Sequence, residues 1–105
     1  MILPPSVRIA YMTCQVRPMA SPDAEANNGH FDEDIGVIEI ADALSDPLKA
    51  DALLHEMLHA MCLLGNAGLE TDQEERVVRV LTTQLLSAMR DNRGVFANIM
   101  DAVRE

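Results

Sequence analysis

A chain of 105 residues has room for one domain, residues 1–105, and one modest core. Its hydrophobic fraction of 49%, with only 3% aromatics and no Trp, excludes a disordered tail and predicts a core of Leu, Val, Ile, Ala and Met. The formal charge of -9 argues against a phosphate backbone or an anionic membrane as partner, since either would be repelled at neutral pH.

The first stretch, "MILPPSVRIAYMTC", lacks a basic start, and Pro4 and Pro5 interrupt its apolar run. Neither a signal peptide nor a membrane span is expected, and the simplest location is cytoplasmic. Cys14 and Cys62 stand far apart without CxxC spacing, as reduced core thiols do.

"VRIAYMTCQV" alternates and reads as one strand. Val7, Ile9, Tyr11 and Thr13 fall on one face, and Ala10, Met12, Cys14 and Val16 on the other. "RPMASPDAEANNG" then reads as a loop, because Pro18, Pro22 and Asn28-Gly29 are turn formers. "HFD" into "IGVIEIA" predicts a second strand pair, with Val37 and Glu39 opposite Ile38 and Ile40.

From Ser45 the period becomes helical. "SDPLKADALLHEMLHAMCLLGNAG" starts with a capping residue and an early proline, carries Leu54, Leu58, Met61 and Cys62 as its apolar positions, and stops at Gly65. A second helix is expected from Thr71 or Asp72 to Asn92, with Val77, Val78, Leu81, Leu85 and Ala88 as its stripe. Beyond Gly94, "VFANIMDAV" predicts a short helix with Phe96, Ile99, Met100 and Val103 turned inward. The fold class is therefore α+β: a small antiparallel sheet of about three strands packed on two main helices.

The chemistry sits at His55-Glu56-Met57-Leu58-His59, in the middle of the first helix. Positions four apart differ by only ~40° in direction and lie one turn above each other, so both imidazoles can reach one metal ion. Zinc suits neutral imidazole nitrogen, and three protein ligands leave a fourth position for water. Glu56, beside the first histidine, can take the proton of a metal-activated water and return it to a leaving amine. HExxH alone does not decide the matter. That two of only three histidines fall at this spacing weighs against a pair that merely lines the core.

The second helix offers a third ligand. On a 100° wheel Glu74 lies at the centre of the apolar stripe, where a lone carboxylate is costly to bury unless paired or bound to metal. Glu75, about a quarter-turn away, is the alternative. A capping box of Thr71 with Glu74 would occupy Glu74, whereas one of Asp72 with Glu75 would leave it for the metal.

"LLHEMLHAM" followed by "EERVVRVLTTQLLSAMRDN" resembles the small zincin-type metalloproteins of phages and prophages, stripped-down relatives of the ImmA/IrrE metallopeptidases. The likeness spans about residues 29–92, and its most specific parts are the HExxH helix and the "RDN" ending. It implies a minimal zincin-like domain with one Zn2+ per chain, encoded by a phage or prophage and acting in the cytoplasm of a bacterial host. It further implies His55 and His59 as ligands, Glu74 or Glu75 as the third, Glu56 as catalytic base, and a protein or peptide substrate. By the same resemblance Val37, Ile38 and Glu39 form the sheet edge along which an extended peptide adds. No His or Tyr follows Glu75, which leaves Tyr11, His30 or an arginine such as Arg90 or Arg93 to stabilise the oxyanion.

Three functional classes follow. The first is a zinc-dependent peptidase, in which Glu56 is dispensable for folding and essential for activity. The second is a zinc-stabilised binding module, in which the histidines are structural and Glu56 is idle. The third is an acidic interaction or inhibitor protein that covers a basic partner and ignores chelators.

Overall fold

Residues 7–16 alternate as one strand would, but they fold back on themselves. In the computed structural model, which describes residues 1–19 and 28–104, β1 (Ser6–Ile9) and β2 (Met12–Met19) form an antiparallel hairpin with Ile9 opposite Met12 and Val7 opposite Cys14. Ala10, at φ 53, and Tyr11 make the two-residue turn. Tight hairpin turns need positive φ, normally supplied by Gly or Asn, so an Ala-Tyr turn carries no composition signal. The fold-back puts Val7 and Ile9 on the same side as Met12, Cys14 and Val16, and these residues form or border the core.

The loop expected from Arg17 begins later. Arg17, Pro18 and Met19 stay in β2, paired in parallel with Glu39, Ile40 and Ala41 of β4 (Val37–Ala41). Pro22 and the rest of 20–27 lie outside the described residues. β3 (Gly29–Asp32) pairs antiparallel with β4, as the sequence predicts. The sheet order is thus β1-β2-β4-β3, four strands with one parallel join rather than about three antiparallel ones. The α+β class holds.

β4 is hydrogen-bonded on both sides, and all of it but Glu39 is buried. Val37, Ile38 and Glu39 therefore cannot offer an edge to a peptide; the edge on this side of the sheet is β3. Continuous apolar character is the mark of such an internal strand.

α1 (Asp46–Leu64) covers the sheet. Ser45 is its N-cap without a side-chain bond, and Pro47 sits in the first turn. The face it buries is Ala52, Leu53, Glu56, Leu58 and Ala60, rotated from the stripe read in the sequence; Met61 is exposed. Small alanines at positions 52 and 60 let the helix approach Ile38 and Ile40, and Glu56, one turn from each, is carried into the same contact.

α2 (Thr71–Asp91) packs on α1 through Val78 and Thr82, whose hydroxyl donates to the Val78 carbonyl at 2.7 Å. Val77 and Leu81 are exposed, so the sequence stripe averages a packed face and a bare one. α3 (Arg93–Ala102) buries nothing, and Ile99, Met100 and Val103 face outward, contrary to the inward packing expected. Among the described residues no helix is long and apolar enough to cross a membrane.

The β3–β4 turn closes on Gly36 at φ 66, whose N–H donates to Asp32 O at 2.9 Å. Gly36→Ala, which forces a side chain into that conformation and toward Met12, is expected to lower stability by about 1–2 kcal/mol in urea unfolding.

Candidate metal centre

The turn between α1 and α2 decides which carboxylate meets the histidines. Asn66 at φ 54 and Gly68 at φ 69 reverse the chain, and Glu70 closes a capping box with Gln73, whose Oε1 accepts from the Glu70 N–H at 3.3 Å. Neither box considered in the sequence forms, so Glu74 and Glu75 are both free to face α1.

Both do, with different roles. Glu75 shares the packed side of α2 with Val78 and Thr82, spaced three and seven residues on. Its Oε1 lies 3.1 Å from His55 Nε2, and its Oε2 lies 2.9 Å from His59 Nε2. The two Nε2 atoms are 3.3 Å apart, with the rings edge to face at 4.9 Å between centroids. Glu74, placed first as third ligand by the wheel, lies on the far side of the His59 ring, where its Oε2 stands 2.7 Å from Nδ1. The alternative, Glu75, is the carboxylate that joins the pair.

Glu74 faces Nδ1 of His59, and since a carboxylate accepts, Nδ1 donates there. Nε2 of the same ring faces a Glu75 oxygen and the His55 Nε2, so that space is filled either by a proton on Nε2, donated to Glu75, or by a cation among the three groups. His55, His59 and Glu75 each offer one atom, all within 4.8 Å of one another, so this group could hold a metal ion. The two imidazole nitrogens stand 3.3 Å apart, and Glu75 meets them with different oxygens, Oε1 at 3.1 Å from His55 and Oε2 at 2.9 Å from His59. Imidazole nitrogen and carboxylate oxygen are donors shared by several divalent metals.

Electrostatics agree with this arrangement. Burial pushes the His55 imidazole below its ordinary value; the Glu75 charge opposes that and His59 reinforces it. An unprotonated His55 is the form a metal needs.

Glu56 is buried against the sheet, and burial raises its carboxyl to about 7, with the His59 charge lowering it and Glu75 raising it. Gly29 makes that position possible: a Cβ there would stand 3.2 Å from Glu56 Cγ and 3.1 Å from Glu39 O. Gly29 is thus needed for a close approach, a role its place in an Asn-Gly pair does not reveal.

Glu56, His55, His59, Glu74 and Glu75 open into a cavity of about 600 Å3, whose other wall is the β3 edge at Gly29, His30 and Phe31. Of the oxyanion candidates only His30 lines it. Tyr11 is exposed at the hairpin turn, and Arg90 and Arg93 line a separate groove. The arginine that does reach the cavity is Arg79, from α2, with Nη2 3.4 Å from Glu75 Oε1. Its signal was the i, i+4 spacing from Glu75. Cys14 and Cys62 are free thiols; burial raises both, and Glu74 raises Cys62 further.

Glu56 yields a pH prediction for the metal-free protein. Between the ordinary value of 4.5 and about 7, the folded chain holds a proton that the unfolded chain has released, so stability falls as pH rises through that window. At roughly 1.4 kcal/mol per pH unit the loss is about 3 kcal/mol, and Glu56→Gln abolishes it. Urea unfolding of both chelated proteins at pH 5 and pH 8 measures the difference. Comparison with family models, curated proteins and solved structures finds no match, so the function rests on this site.

Proposed function

We propose that the chain is a minimal zinc-dependent peptidase, of the phage-borne ImmA/IrrE-like kind its HExxH helix resembles, working in the cytoplasm of a bacterial host. One observation carries the reading: three lone-pair donors, His55 Nε2, His59 Nε2 and a Glu75 oxygen, converge beside a buried carboxylate in a cavity bounded by a sheet edge. A purely structural ion has no use for the fourth element, Glu56, whose burial has an energetic cost.

His55, His59 and Glu75 hold the ion, and Glu74 orients His59 from behind through Nδ1, as outer carboxylates do for ligating imidazoles. When bound, zinc supplies Lewis acidity that lowers the pKa of a coordinated water towards ~7. Glu56 accepts the proton of the attacking water and delivers it to the departing amine nitrogen. Burial, which raises the Glu56 carboxyl, strengthens it as a proton acceptor for both transfers. The side of β3 that pairs with no strand among the described residues takes the substrate as an added strand, main chain to main chain, which places a peptide bond over the cavity. His30 and Arg79 are the cavity's donors to a developing oxyanion.

Metal content per chain, measured by elemental analysis after purification without added metal, separates the roles. Wild type and Glu56→Gln are expected to carry about one zinc, and His59→Ala and Glu75→Ala none. Glu74→Gln should keep the ion with affinity weakened about 10–100-fold. Hydrolysis of an unstructured polypeptide is expected to fall at least about 100-fold in Glu56→Gln, which stays folded and loaded. A loaded wild type that hydrolyses nothing, or a Glu56→Gln that retains activity, refutes the peptidase reading.

A further inference from the structure

Among the large apolar side chains exposed on or just past the last two helices are Val77, Val80 and Leu81 on α2, Ile99 and Met100 on α3, and Val103 at its C-cap, each 39 to 69% exposed. On a 100° wheel Ile99, Met100 and Val103 fall within one ~100° arc of α3, and Val77, Val80 and Leu81 within one such arc of α2, beside the stripe buried on α1. Ridges this regular are packing surfaces. Together they expose on the order of 600 Å2, the upper end of what a monomer leaves bare. Each partner in a standard stable interface buries roughly 800 Å2, so this surface is most of what a dimer requires.

We infer that the occupant is a second copy of this chain, packed antiparallel along α2 about a two-fold axis near Leu81. Self-complementarity is written along the helix. Its first turns carry Glu70, Asp72, Glu74 and Glu75 against Arg76 and Arg79, a net -2, and its far end carries Arg90, paired with Asp91, and Arg93, a net +1. Only the antiparallel arrangement sets the acidic end of one copy beside the basic end of the other, with opposed helix dipoles. Val77 of one copy then faces Leu85 of the other, and Leu81 meets Leu81, a contact repeated by symmetry. Among the described residues α3 packs mainly on α2, and Asn92 (φ -134, ψ 46) breaks the helix before it. Carried past the end of the partnered helix, α3 of the second copy meets Met61, Leu63 and Leu69, three further exposed apolar groups at the α1–α2 turn. Leu63 also lines the metal cavity, so the second copy supplies a wall at its mouth.

Sedimentation equilibrium of the intact chain between about 1 and 200 μM is expected to give a dimer. Val80→Glu and Met100→Glu, both at exposed positions, should each weaken it at least about 100-fold with helix content unchanged by circular dichroism. Leu81→Cys, in a Cys62→Ser background, should oxidise to a disulfide-linked dimer, a readout that does not depend on how the glutamate variants fold. A chain that is monomeric across the range, a dimer that survives both glutamates, or a Leu81→Cys variant that fails to cross-link overturns the assignment.

Discussion

Two imidazoles and a carboxylate brought to one place by a pair of helices are the constraint on which this site depends. His55 Nε2, His59 Nε2 and the Glu75 carboxylate stand within 2.9 to 3.3 Å of one another, and Glu74 holds the far nitrogen of His59. A proton on His59 or a metal ion satisfies the cluster, and a His-His-Glu group so placed could hold the ion. The position of α2, the turn at Asn66 and Gly68 and the capping by Glu70 rather than Thr71 all serve to bring Glu75 there.

The same packing explains the state of Glu56. α1 lies close to the sheet because alanines at 52 and 60 and a glycine at 29 leave room for it. Glu56 shares the face of those alanines, so the contact that stabilises the helix also desolvates the carboxylate. Its raised proton affinity is a product of packing and needs no dedicated partner.

Much of this was legible in the sequence, for local reasons. His55, Glu56 and His59 are fixed relative to one another by helical geometry alone, and β4 and α1 announce themselves by period. The misses were non-local. The Ala10-Tyr11 turn has no turn residue, and the hairpin preserves alternation, so one strand and two look alike. β4 is internal because β2 returns to it in parallel, a pairing no window of sequence contains. Glu74 is central on the wheel because the apolar stripe of α2 includes Val77 and Leu81, which lie exposed beside the packed face. With them set aside, the stripe centres on Val78 and Thr82 and points to Glu75.

His55, His59 and Glu75 all belong to one pair of consecutive helices, the outermost of them twenty residues apart in the chain. The burial of Glu56 depends on Gly29 and the sheet. The group that could hold a metal ion and the buried carboxylate therefore depend on different parts of the fold, which meet at α1. Contacts near in sequence close early in folding, whereas a parallel strand join comes late. The His-His-Glu geometry can thus form with the helix pair alone, while the desolvation that raises Glu56 waits on the strands.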